Sequence, residues 1–288
     1  MHRAFRSSHP AVQILFFFSV LVFGMLFFHP VFLAIAFSFA FLNSLLLRGG
    51  QALRMFFALL LPTWALVALV NTAFNHYGVT TLFTLSNGNR VTLEALLHGA
   101  AVGCMAVTAI LWFSCFNAVV TSDRFLHVFG RRLPTAALLV SMTLRFIPLF
   151  IRRARQIRMS QRGIGRSGTA LQNAVRTLDV LTAWSLENAV ETADSMKGRG
   201  YGLRGRTHYA RYLWTARDSI LCALILISDG VILAGVLCGQ TQANYNPCFS
   251  VAQINAFSFV LFGVYALLCA APLILELSEG RHAWNKSV

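Results

Sequence analysis

Six long apolar runs, at about 11–28, 30–47, 55–73, 95–117, 219–239 and 253–275, leave this chain few folds to choose from. Between them they carry a single charged side chain, Asp229. Each approaches the roughly 20 residues an α-helix needs to cross a hydrocarbon core. A helix satisfies its own backbone hydrogen bonds, so it can lie in lipid where irregular chain cannot. Composition agrees: 57% of the 288 residues are hydrophobic and 12% charged, with mean hydropathy +0.64, whereas soluble domains are about a quarter charged. The expected fold is all-α, a polytopic membrane protein with about six transmembrane helices plus long amphipathic cytoplasmic helices. Pro62 and Pro272 fall inside two runs, which spans tolerate where a neighbour satisfies the freed carbonyl. Arg3 and Arg6 precede the first run, but it is too long for a signal-peptide core and reads as an uncleaved span.

Basic residues orient the chain. An even number of spans puts both termini on one side, and 23 of the 24 Lys and Arg residues then share it, leaving Arg90 opposite. The positive-inside rule makes that side the cytoplasm of a cell-membrane protein. The organisation expected is a membrane part at 1–122, a cytoplasmic segment at 123–217 and a second membrane part at 218–288.

The cytoplasmic segment holds 17 basic and 5 acidic residues. Pro134 is placed to open a helix that mixes Leu138, Leu139, Met142, Phe146, Leu149 and Phe150 with five arginines, and Pro148 should kink it. A second helix carries an apolar stripe at Leu171, Ala174, Val175, Leu178, Leu181, Ser185, Ala189 and Ala193, at three- and four-residue steps. The two endings match. Arg162-Gly163-Ile164-Gly165-Arg166-Ser167-Gly168 and Arg199-Gly200-Tyr201-Gly202-Leu203-Arg204-Gly205 both read R-G-x-G-x-x-G. Taken singly, each is a conventional glycine helix stop with an arginine at the negative end of the dipole. Taken together, two equivalent tips suggest two equivalent sockets on a pseudo-symmetric dimer.

Several function classes are excluded. The embedded G-x-G-x-x-G follows a helix where a dinucleotide site needs a strand, and no P-loop occurs. The positive charge suits anionic lipid headgroups, the bland reading of Arg131, Arg132, Arg152 and Arg153. It does not indicate nucleic acid, since no binding module or stacking platform accompanies it. The cysteines form no CxxC pair and the histidines are scattered without H-E-x-x-H, so no metal, cofactor or catalytic group is expected.

Ser195-Met196-Lys197-Gly198-Arg199-Gly200-Tyr201-Gly202, followed by Gly205-Arg206-Thr207, resembles the second signature of the T component of energy-coupling factor (ECF) transporters. Leu144-Arg145-Phe146-Ile147-Pro148 resembles that family's coupling-helix motif. Gln161-Arg162-Gly163 falls where the family has an Ala-Arg-Gly-type triplet. Asn75-His76-Tyr77-Gly78-Val79-Thr80 and Thr92-Leu93-Glu94-Ala95 are similar too. The resemblance implies a non-catalytic scaffold whose coupling helices end on two ABC-type ATPase subunits and cradle a small membrane S component that captures a vitamin or metal ion. It implies that Arg162 and Arg199 dock in the ATPase grooves, flanked by Gln161 and Gly163 and by Gly198 and Gly200. Gln161 and Gly198 replace the usual alanine, and Gly198 would loosen its helical turn by about 1 kcal/mol relative to Ala.

The alternative is a substrate-conducting permease subunit of another ABC or secondary transporter, against which the spans lack paired carboxylates and an internal repeat. Asp229, in the middle of the fifth span, is a functional candidate by position alone. The bland reading is a carboxyl facing the bundle and bonded to a neighbour.

Overall fold

The structure, a computed structural model, describes residues 4–75, 78–84, 90–130, 133–165, 168–203, 212–245, 250–251 and 255–285. His76, Tyr77, Arg131, Arg132, Arg166, Ser167, Arg204, Gly205, Arg206, Thr207 and Cys248 lie outside the described residues. The helices begin with α1 (Ala4–Ser7), α2 (Pro10–Leu26), α3 (Pro30–Arg48) and α4 (Gly50–Met55). A π-helical turn (Phe56–Leu60) joins α4 to α5 (Leu61–Phe74). Then come α6 (Leu93–Val119), α7 (Ser122–Gly130), α8 (Pro134–Gly163), α9 (Ala170–Gly198), α10 (Ala216–Leu237) and α11 (Ala256–Asn285). Two small antiparallel ribbons interrupt this all-α fold: β1 (Thr81–Thr84) with β2 (Arg90–Thr92), and β3 (Ala243–Asn244) with β4 (Ser250–Val251). The chain divides into two compact units, one made of Met1–Ser122 with Leu213–Val288 and the other of Asp123–Tyr212.

Local chemistry sets the helix starts in the first unit. His9 and His29 each precede a proline, and each imidazole Nδ1 accepts the N–H of the second residue on, Ala11 at 3.2 Å and Val31 at 3.3 Å. Proline supplies the first helical position, where its missing N–H costs nothing. Burial holds the His29 imidazole below its ordinary pKa, which keeps it neutral and able to accept. Thr92 caps α6 by accepting the Ala95 N–H. Hydrogen bonds lie close to both span prolines. A π-type bond from Leu61 N–H to the Phe56 carbonyl precedes Pro62. Asn43 donates to the Cys269 carbonyl, one residue beyond the carbonyl that Pro272 frees.

Aromatic rings fill the core. Phe16, Phe17 and Trp112 meet edge to face at 5.2, 5.9 and 6.3 Å, tying α2 to α6. Phe27, Phe32 and Tyr265 meet at 4.6, 5.4 and 5.7 Å, tying α2 and α3 to α11. Lipid offers no solvent-driven reason for apolar helices to associate, so this close packing and the hydrogen bonds between helices hold them. The tightest seam joins α5 and α6. A Cβ added at Gly99 would lie 2.8 Å from the Ala68 carbonyl oxygen, and one at Gly103 would lie 2.9 Å from the Trp64 ring. Trp64 Nε1 also donates to the Ala100 carbonyl at 3.1 Å.

Among the described residues six helices are long and apolar enough to cross a membrane: α3, Gly50–Phe74 taken as one, α6, α8, α10 and Ala256–Leu277 of α11. This set differs from the expected one, because α2 has 17 residues, about 25 Å, and α8 takes its place. The first half of α8 carries a single charge, Arg145, so composition alone counts it as a span. The His9 N–H donates to Asp218 at 2.8 Å and the Ser19 hydroxyl to Asp229 at 2.5 Å, so α2 and α10 run parallel. Parallel helices must start on the same side, with an even number of crossings between their starts. Crossings by α2, α3, the α4–α5 helix and α6 satisfy this, and so would α3, the α4–α5 helix, α6 and α8 without α2, whereas all five together would reverse α10. The charged α9, with Arg176, Asp179, Glu187, Glu191 and Asp194, cannot restore the parity. A 17-residue helix is within the spanning range, so α2, lying along α10, is long enough to cross with it.

Candidate docking site on the paired long helices

In the second unit α8 and α9 form an antiparallel hairpin. The Thr177 hydroxyl donates to Gln161 Oε1 at 3.5 Å, and the Phe150 and Trp184 rings meet edge to face at 5.7 Å. Arg153 lies over the same indole at 5.3 Å, and Phe146 stands 6.1 Å from Phe150. A reciprocal capping box starts α9: the Thr169 hydroxyl accepts the Gln172 N–H, and the Gln172 side chain accepts the Thr169 N–H, both at 3.3 Å. Of the coupling-helix motif, Phe146 is half-buried, while Leu144, Arg145 and Pro148 are exposed on α8.

The hairpin sends its two C-terminal tips in opposite directions. Arg162 sits beside the Gln161–Thr177 contact, whereas Arg199 lies about six turns further along α9, roughly 33 Å at 1.5 Å per residue. Both arginines are exposed, next to exposed Ile164, Tyr201 and Leu203. The second tip closes as a Schellman motif. Gly200 N–H reaches the Lys197 carbonyl at 2.9 Å and Tyr201 N–H the Met196 carbonyl at 3.0 Å, with Gly200 at φ +81°.

Equivalent sequence does not give equivalent backbone here. At the first tip Gly163 is still helical, Ile164 is the cap and Gly165, at φ +72°, is the left-handed residue whose N–H bonds the Arg162 carbonyl. Arg162 is therefore inside its helix, while Arg199 is itself the cap and Gly198 the last helical residue. The duplicated heptapeptide is offset by two positions relative to the turn it makes. A further departure concerns the apolar stripe of α9. Thr177 and Trp184 contact α8 and Leu181 and Ser185 are half-buried beside them, while Leu171, Val175 and Leu178 are 75%, 51% and 59% exposed. Packing between the helices uses a mixed stripe and leaves the apolar one open.

The other candidates lie in the first unit. The family-like runs around Thr80 and Glu94 are brought together: the Thr80 N–H and hydroxyl donate to Glu94 Oε1 at 3.2 and 2.6 Å, stapling the β1–β2 ribbon to the start of α6. Asp229 faces α2 and takes the Ser19 hydroxyl on one oxygen. Among the described residues no group of three His, Cys, Asp or Glu could hold a metal ion. Two features escaped sequence reasoning although their signals are legible: the Gly99-x-x-x-Gly103 spacing of a close helix seam and the Thr215-x-x-Asp218 capping box.

A family model, CbiQ, described as cobalt transport protein, matches residues 2–209. The chain is also similar to curated proteins named energy-coupling factor transporter transmembrane protein EcfT. That of Bacillus selenitireducens is 36% identical over 122 residues, 39% of this chain and 46% of the relative. That of Lactobacillus helveticus is 30% identical over 115 residues, 38% of this chain and 42% of the relative. That of Bacillus subtilis is 33% identical over 100 residues, 32% of this chain and 38% of the relative. In each alignment the chain spans less than half the length of the curated relative.

Proposed function

Since the chain belongs to the CbiQ family of cobalt transport proteins, we propose that it is the energy-coupling membrane subunit of an ECF-type uptake transporter. It passes motion from two ABC-type ATPases to a small substrate-binding S component, which selects the vitamin or metal ion, and does no chemistry itself. The observation that carries this reading is the hairpin of α8 and α9, which holds Arg162 and Arg199 on exposed tips roughly 33 Å apart. That spacing suits two separate sockets, one on each of two ATPase subunits. Arginine suits the task because its planar fork makes bidentate, charge-assisted bonds to carboxylates. The open apolar stripe of α9 and the exposed Leu139, Val140, Ile147 and Ile151 of α8 offer the S component an apolar surface.

Tagged chain extracted from membranes should bring down two ATPase subunits and one small membrane protein. Purified with the ATPases alone, it should show no saturable binding of the solute that the small subunit binds. Micromolar binding of that solute without the small subunit would make the chain a substrate-conducting permease instead.

The same reading places both termini and the 123–212 unit in the cytoplasm, on the side that holds 23 of the 24 basic residues. With the other cysteines replaced, Cys248, between α10 and α11, should react with impermeant maleimide on intact cells. Labelling seen only after permeabilisation would reverse the orientation.

A further inference from the structure

The chain comes back from the second unit to the first at Leu213, and the residues that receive it are built as a joint. Asp218, 2% exposed on the first turn of α10, takes the Thr215 N–H at 3.0 Å and the Thr215 hydroxyl at 2.6 Å. Its other oxygen takes the His9 N–H at 2.8 Å, from a residue 209 positions away at the start of α2. Trp214 adds a second pin: its indole N–H donates to the Ser219 hydroxyl at 2.6 Å and its ring lies 4.9 Å from that of His9. A carboxylate with several donors is a strong charge-assisted anchor. A capping box alone would need only Thr215 and Asp218. The bond to His9 adds nothing to the cap of α10; it satisfies the N–H at the start of α2 and ties α2 to the returning chain. The outgoing chain has a different support, leaving from α6, whose Val107, Leu111, Trp112 and Cys115 are buried in the core.

We infer that Asp218, with Thr215 and the backbone N–H of His9, is the positioning joint through which displacement of the long-helix unit is delivered to α2 as well as α10. This rests on the energy-coupling reading above. One consequence is that α2 moves relative to α6 when the ATPases bind ATP, and that it does so only while the His9–Asp218 bond exists.

His9 has φ −58° and ψ 135°, a conformation proline adopts, so His9→Pro deletes the N–H with little change in backbone. His9→Asn keeps the N–H and a good capping side chain. Asp218→Asn leaves the backbone untouched and removes the charge. The complex with its co-purifying ATPases is placed in lipid nanodiscs, with nitroxides on cysteines at Phe18 of α2 and Phe113 of α6, both exposed positions. A second preparation pairs Phe113 with Met159 of α8, also exposed. Adding Mg-ATP should change both distances in the wild type and in His9→Asn. In His9→Pro and in Asp218→Asn the Met159–Phe113 change should persist while the Phe18–Phe113 change is lost. A Phe18–Phe113 change that is absent from the wild type, or that survives in both variants, overturns the joint. Loss of the Met159–Phe113 change in the wild type overturns the energy-coupling reading itself, and the joint with it.

Discussion

Changing Arg162 and Arg199 together to glutamate is expected to strip the ATPases from the complex while the membrane part stays folded. Each arginine is exposed at a helix end, so neither substitution opens a cavity or breaks a core contact. In the proposed complex each side chain enters a groove beside acidic groups and loses its water. Removing one partner of such a buried, hydrogen-bonded charge pair costs about 2–5 kcal/mol, much of it from the charge left unpaired. At 1.4 kcal/mol per tenfold, that weakens each contact about 30-fold to several thousand-fold. Arg162→Ala and Arg199→Ala should each weaken assembly markedly, and the double glutamate variant should abolish it. Arg152→Ala, exposed on α8 away from either tip, is the control and should change little. The measurement is ATPase recovered per tagged chain, with elution of the membrane part as a single species as the check on folding. If the double variant retains both ATPases, the arginines are ordinary helix-end charges and the docking proposal fails.

The duplicated heptapeptide shows how far sequence can be trusted for such a site. It located both helix ends, because glycine after a helix is a local backbone requirement. It misjudged their equivalence, because which glycine turns left-handed depends on where the helix stops. Gly163 continues α8 and Gly165 turns, whereas on α9 Gly200 turns at once. The apolar runs fixed the spans for a similar reason, since length and absence of charge are properties of a segment alone. They named 11–28 a span and left 134–163 to the cytoplasmic segment. A 17-residue helix and an apolar half-helix are close in composition, and it is the parallel pairing of α2 with α10 that shows α2 lying along a span. The stripe at Leu171, Val175 and Leu178 was legible as apolar, but a periodic pattern does not name the surface it faces. The joint at Asp218 and the Asp229–Ser19 pair join residues more than 200 positions apart, and a single sequence carries no trace of such pairing.

The α5–α6 seam should be the least forgiving place in the membrane unit. Gly99 and Gly103 lie one turn apart on the same face of α6, and the residues between them need not be small. At Gly99 the atom a Cβ would strike is the Ala68 carbonyl oxygen, at 2.8 Å, with the Ala68 Cα at 3.2 Å. Backbone cannot rotate away as a side chain can, so even Gly99→Ala must push α5 outward along its length. Gly103 faces the Trp64 ring, which could swing aside only by giving up its 3.1 Å bond to the Ala100 carbonyl. Overpacking a close-fitted interior costs about 1–3 kcal/mol where side chains can adjust. Gly99→Leu, which forces the backbones apart, should exceed that range. The alanine form of Gly103 should be milder, since the carbonyl oxygen it meets, that of Trp64, lies further off at 3.1 Å. Loss of this contact also loosens the ribbon that Glu94 holds at the start of α6. Thermal melting of the detergent-solubilised chain should therefore rank wild type above Gly103→Ala, then Gly99→Ala, with Gly99→Leu failing to accumulate. If Gly99→Leu melts within a degree or two of the wild type, the seam is looser than its geometry indicates, and α5 moves freely against α6.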